Sequence, residues 1–163
     1  MYGCGLRISE AVQLQPKHVD ATHGVIRVIG KGNKERLVPL APALLAAMRR
    51  AWKTHGNRQW VFATGPQGNH VSAKTVQTVF RAVRAQAGLP DLVAPHSLRH
   101  AFATRLLEKG TDVRIVQILL GHASIRSTEI YTHLTEPIRE QLRVKLNELI
   151  DGLKLHEPTD GLF

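Results

Sequence analysis

Apolar positions recur along the 163-residue chain in short runs whose period changes several times, with turn residues between them. In Gly5-Leu6-Arg7-Ile8-Ser9-Glu10-Ala11-Val12, the residues Ile8, Ala11 and Val12 fall on one helical face behind a glycine turn. Beyond Pro16 the pattern becomes extended. Gly24-Val25-Ile26-Arg27-Val28-Ile29 is rich in β-branched residues, and Glu35-Arg36-Leu37-Val38-Pro39-Leu40 is a second such run. The glycines of the intervening Gly30-Lys31-Gly32-Asn33-Lys34 permit a tight turn, which predicts a β-hairpin with two lysines near its tip. Pro39 suits the end or the edge of the second strand. Leu45, Met48 and Trp52 return to helical spacing over about residues 42–55, and Trp60-Val61-Phe62 reads as a short strand.

Ser72 is the expected N-cap of a helix carrying Val76, Val79, Phe80 and Val83, with Gly88 as its stop. Ser97 is the expected cap of a helix that carries Phe102 and Leu106 and ends at Gly110. Asp112 caps the next, with Val113, Val116 and Leu120 turned inward. A short helix is expected around residues 128–133. An amphipathic one over about residues 137–150 aligns Leu142, Leu146, Leu149 and Ile150, and that face suits either a neighbouring copy or a fold back onto its own domain. The tail beyond Gly152 reads as loose. Together these elements predict an α+β fold, mostly helical with a small antiparallel sheet.

At this length one domain is expected, burying roughly 70% of its unfolded surface. The chain is 43% hydrophobic yet has no long apolar run, which argues against a membrane-spanning helix and a secretory signal. Charge narrows the picture more. Lys and Arg number 22 against 13 Asp and Glu, a formal charge of +9, and such an excess favours a polyanionic partner, nucleic acid first. The single Cys4 forms no intrachain disulfide and fits a reducing cytoplasm.

Several polar residues stand where chemistry is conceivable: Arg7 beside the glycine turn, Lys31 on the hairpin, His96 and Arg99 at a helix start, and His122 nine residues before Tyr131. Each alone also fits a solvated surface or a packing role. His96 and His100 have the spacing of a zinc-binding helical pair, but Ser97 stands where the His-Glu-x-x-His motif requires Glu. Two arginines, a lysine, two histidines and a tyrosine together make a set suited to phosphoryl transfer onto a protein hydroxyl. Paired guanidiniums clamp non-bridging oxygens, histidine moves protons near neutral pH, lysine protonates a leaving alkoxide, and tyrosine is the nucleophile. Such a set requires no metal and no other cofactor.

The chain resembles the tyrosine recombinase or phage-integrase family, most closely its Xer-type and integron-like members. The resemblance rests on Tyr2-Gly3-Cys4-Gly5-Leu6-Arg7-Ile8-Ser9-Glu10, Gly30-Lys31-Gly32-Asn33-Lys34-Glu35-Arg36, Pro95-His96-Ser97-Leu98-Arg99-His100-Ala101-Phe102-Ala103-Thr104, Leu120-Gly121-His122 and Ile130-Tyr131-Thr132-His133, in family order. It implies that Arg7 and Arg99 clamp the phosphate, Lys31 protonates the leaving 5′ oxygen, Tyr131 is the nucleophile, His96 assists proton transfer at Tyr131, and His122 hydrogen-bonds the scissile phosphate. Lys34 is the rival for the lysine role, and His100 and His133 fall to packing or surface roles.

What the resemblance implies for function is site-specific DNA recombination or integration through a 3′-phosphotyrosyl intermediate, independent of metal and ATP. The partners would be double-stranded DNA and further copies of the protein in a tetrameric synapse, in the cytoplasm. Family members carry a DNA-binding domain and at least one more helix ahead of the Gly-Leu-Arg turn, whereas this chain begins six residues before Arg7. Residues 1–153 are therefore expected to be a catalytic domain lacking its first helices and the preceding domain, with 154–163 as the tail. The alternative is a catalytically weak DNA-binding remnant of a mobile-element integrase. Topoisomerase-like relaxation is a variant of the enzymatic reading.

Overall fold

The structure, a computed structural model, describes residues 1–30, 35–121 and 136–153, with the backbone alone described at 136. Among these the order is α1 (Ile8–Val12), a 3₁₀ turn (Pro16–His18), β1 (Val19–Asp20), β2 (Val25–Ile29), β3 (Glu35–Pro39), α2 (Pro42–Lys53), α3 (Ala73–Gln86), α4 (Pro95–Glu108), α5 (Val113–Leu120) and α6 (Glu136–Asp151). The predicted helices that fall on described residues and both hairpin strands are present, and the fold is mostly helical with a small sheet. That sheet has the antiparallel order β1-β2-β3, with Ile26 opposite Val38 and Val28 opposite Arg36. Its short edge strand β1 follows the 3₁₀ turn and has no counterpart in the sequence reading, because two residues show no periodicity.

Two hydrophobic clusters fix the architecture. One gathers Phe102 and Leu106 of α4, Val116 and Leu119 of α5, and Leu142, Leu146, Leu149 and Ile150 of α6. The other packs Ile26, Val28 and Val38 of the sheet against Leu6, Leu14, Met48 and Val61. The segment from Cys4 to Arg7 runs between them. The apolar face of α6 thus folds back on its own chain, the second of the two outcomes its pattern allowed.

Three local expectations are corrected. Helix α4 starts at Pro95, not after Ser97; Ala94 is the N-cap position, and Ser97 accepts a hydrogen bond from the Ala94 N–H at 3.2 Å. Proline at the first helical position has no N–H to leave unsatisfied, so the helix begins there without a side-chain cap. Trp60-Val61-Phe62 is not a strand. The Asn57 side chain accepts from the N–H groups of Gln59 and Trp60 and donates to the carbonyls of Gly65 and Gly68, gathering this segment into a loop whose only described ladder contact is an isolated bridge between Ala63 and His70. Val113 is 54% exposed, because as the first residue of α5 it precedes the turn that meets the core. Val79 and Val83 of α3, although helically spaced, are each 55% exposed.

Candidate active site

The site is built where the segment before α1 crosses the first turn of α4. Gly5 has φ +58°, and a Cβ there would stand 2.8 Å from the Phe102 ring, so both conformation and space require glycine. This close approach presents the Gly5 carbonyl to Arg99, whose Nη1 donates to it at 2.5 Å while Nη2 donates to the Leu120 carbonyl at 2.5 Å. Arg99 is 5% exposed and is anchored by backbone from both flanks. A guanidinium carries five N–H donors, so anchoring through two carbonyls leaves it able to meet further acceptors.

Arg7 occupies the N-cap position of α1 with its side chain 43% exposed, and its Nη1 donates to Glu10 Oε1 at 2.9 Å. Its backbone N–H donates to Glu10 Oε2 at 2.7 Å. Glu10 also accepts both terminal nitrogens of Arg36, at 2.9 and 2.8 Å, and its Oε2 lies 3.9 Å from Arg99 Nη1. One carboxylate thus faces three guanidiniums, a local surplus of positive charge in a partly desolvated setting, where electrostatic attraction for an anion is strengthened. Burial by itself would raise the Glu10 pKa, but the hydrogen bonds from Arg36 and Arg7 overcome it and hold the group at about 2. Burial, and then the charge of Arg7, lowers Arg99 to about 10 against the opposing pull of Glu10, which still leaves it protonated at neutral pH.

His96 lies in the same first turn of α4 and meets His100 edge-on, with ring centroids 4.5 Å apart and planes at 88°. Desolvation and then the nearby charges of His100, Arg99 and Arg7 hold its pKa below the ordinary value of 6.5. A neutral imidazole beside two guanidiniums is suited to accept a proton. Among the described residues, no group of three or more His, Cys, Asp or Glu side chains gathers in a metal-binding arrangement.

Of the six residues singled out in the sequence, the structure brings together Arg7, His96 and Arg99. Lys31, His122 and Tyr131 lie outside the described residues, as do Lys34, His133, the hairpin tip, the expected helix at 128–133 and the tail at 154–163. Two members of the cluster were missed by the sequence reading, Glu10 and Arg36. Both left a signal. Glu10 stands three residues after Arg7, where an acidic side chain reaches back to an N-cap N–H. Arg36 occupies the inward register of an alternating strand, and a charge there needs a buried partner.

The profile of the phage integrase family matches residues 1–137. A tyrosine recombinase XerC from Rhodospirillum centenum is 45% identical over 135 residues, covering 81% of this chain and 40% of that protein. Among solved structures, the integrase from mycobacterium phage Brujita superposes with a TM-score of 0.68 at 30% identity, covering 91% of this chain and 48% of its own. The XerH site-specific recombinase bound to palindromic difH substrate, a post-cleavage complex, gives a TM-score of 0.64 at 30% identity, covering 86% and 42%. The chain therefore spans less than half the length of these relatives. No described helix is long and apolar enough to cross a membrane.

Proposed function

Because the chain belongs to the phage integrase family, we propose that residues 1–153 are the catalytic part of a tyrosine site-specific recombinase or integrase, acting on double-stranded DNA in the cytoplasm. The observation that carries this reading is the convergence of Arg7, Arg99 and His96 on one electropositive spot organised by Glu10. The relative solved with its cleaved difH substrate makes DNA the natural substrate to test.

In the proposed reaction the Tyr131 oxygen attacks the scissile phosphorus and gives up its proton with the help of His96. The bond from phosphorus to the 5′ oxygen breaks, and Lys31 supplies the proton that leaves with that oxygen. A 3′-phosphotyrosyl link conserves the bond energy, so resealing by a 5′ hydroxyl needs no nucleotide hydrolysis. Arg7 and Arg99 donate to the non-bridging oxygens as charge builds on them, with His122 as a further donor. Fixed donors aimed at developing charge supply most of the rate enhancement in many enzymes, and the anchoring of Arg99 by two backbone carbonyls supports that role. Strand exchange would require several copies on two duplexes. With the apolar face of α6 packed in its own chain, those contacts would use other surfaces.

The test is to trap a covalent adduct on nicked duplex DNA that loses its short 5′ fragment after cleavage. The parent chain should form a tyrosine-linked product, and Tyr131→Phe should bind DNA equally well and form none. An adduct persisting in Tyr131→Phe would exclude that nucleophile. Binding without any adduct in the parent would favour the DNA-binding remnant instead.

A further inference from the structure

Arg36 takes no direct part in the proposed chemistry, yet at 2% exposed it is buried more deeply than Arg99. It sits opposite Val28 on the inward face of β3, where the pattern continued by Val38 calls for an apolar residue. Its three nitrogens are all engaged: Nε donates to the Leu119 carbonyl at 2.9 Å, Nη1 to Glu10 Oε1 at 2.9 Å, and Nη2 to Glu10 Oε2 at 2.8 Å. Gly121 is shaped around it. A Cβ at Gly121 would stand 3.0 Å from Arg36 Cδ and 3.1 Å from Nη1, at a φ of +68° that already favours glycine. A buried ion pair gains little over apolar side chains of the same volume, so stability alone does not account for an arginine here.

We propose that Arg36 is a positioning residue of the phosphate clamp, a fork that locks the Glu10 carboxylate to the end of α5 and thereby fixes Arg7 and the seat of Arg99. The links run through named atoms. Glu10 Oε1 accepts from Arg36 and from Arg7 Nη1, so the carboxylate held by one guanidinium sets the direction of the other. On the far side, Arg36 holds the Leu119 carbonyl, adjacent in sequence to the Leu120 carbonyl that anchors Arg99. Arg36 also follows Lys31 by five residues in the sequence, on the strand that begins at Glu35. Lysine cannot replace it, because a single ammonium grips a carboxylate at one point and not as a two-pronged fork. The inference rests on the recombinase reading, since a clamp matters only if a phosphate occupies it.

The test uses Arg36→Lys as the principal variant and Arg36→Met as the second, each in the full chain. Four quantities are followed: relaxation of supercoiled plasmid, affinity for a short mixed-sequence duplex, titration of the Glu10 carboxyl by ¹³C NMR, and the Arg7 Nε–H resonance. The other charges facing Glu10 are Arg7, Arg99 and the Met1 amino group, all of which both variants retain. In Arg36→Lys the relaxation rate should fall roughly 10- to 100-fold, the scale set by small misplacements of catalytic groups, while duplex affinity changes by less than about 3-fold. Glu10 should titrate at higher pH than in the parent, and relaxation should fade on acidification where the parent's does not. A purely structural role would lower the melting temperature of Arg36→Lys without shifting Glu10 in the folded protein, and that outcome overturns the proposal. So does relaxation at the parent's rate. If the parent neither relaxes the plasmid nor forms the Tyr131 adduct, the recombinase reading of this chain fails separately. The Glu10 titration and the Arg7 Nε–H resonance then decide, and no change in either sinks the positioning role. If Arg36→Met does not fold, Arg36→Lys carries the comparison.

Discussion

Replacing Glu10 by Gln removes one charge from the centre of the arginine cluster while nearly preserving shape, and its cost follows from the geometry. The carboxylate accepts from Arg36 twice and from the Arg7 side chain and backbone, and its pKa is held at about 2 against an ordinary 4.5. A depression of that size corresponds to about 3 kcal/mol of stability, since one pKa unit is worth about 1.4 kcal/mol. Breaking a buried ion pair by removing one partner costs about 3–5 kcal/mol, an independent figure of the same size. Because the folded value lies below the unfolded one, this stabilisation is complete above pH 4.5 and is lost as pH falls towards 2. Urea unfolding of parent and Glu10→Gln across a pH series should therefore show a gap of about 3 kcal/mol at pH 7. The gap should narrow below pH 4.5 as the parent's own Glu10 becomes protonated. A gap under about 1 kcal/mol at pH 7, the scale of a surface pair, would refute the hub, and so would a gap that does not change with pH.

Three further outcomes are expected. Arg99→Ala should lower DNA cleavage by roughly 100-fold or more. It should also destabilise the fold by about 3 kcal/mol, because its removal orphans two buried carbonyls, whereas half-exposed Arg7→Ala should affect cleavage far more than stability; single-turnover cleavage and urea melts separate these. Gly121→Ala should cost about 1–2 kcal/mol for the left-handed backbone alone, with crowding of Arg36 added, as read by thermal unfolding; an unchanged melting temperature would contradict the close approach. Cys4 is buried and burial pushes its thiol up to about 11, so a thiol-reactive dye should label it only in denaturant, and rapid labelling of the folded chain would contradict its placement.

Local pattern made much of this fold legible. Alternation and β-branching marked β2 and β3, helical spacing marked α2 through α6, and Asp112 and Ser72 are the caps that the chain order suggested, each accepting a backbone N–H. The motif residues Arg7, His96 and Arg99 were also visible, because helix starts bring neighbours in sequence onto one turn. Periodicity, however, assigns a residue to a face without saying what covers that face. Val79 and Val83 have the spacing of a buried stripe and are largely exposed among the described residues, while the matching stripe of α6 is buried in its own chain.

The clearest division falls at the candidate active site. The sequence by itself determined which side chains could do the chemistry, since residue type and spacing fix reactivity and local geometry. Only the tertiary structure decided that Glu10 and Arg36 would organise them, through hydrogen bonds joining residues 26, 83 and 94 positions apart. Such partners leave no mark in local periodicity. A carboxylate in a helix turn reads as solvated, and an arginine in a strand reads as misplaced, until packing excludes water from both and pairs each with the other.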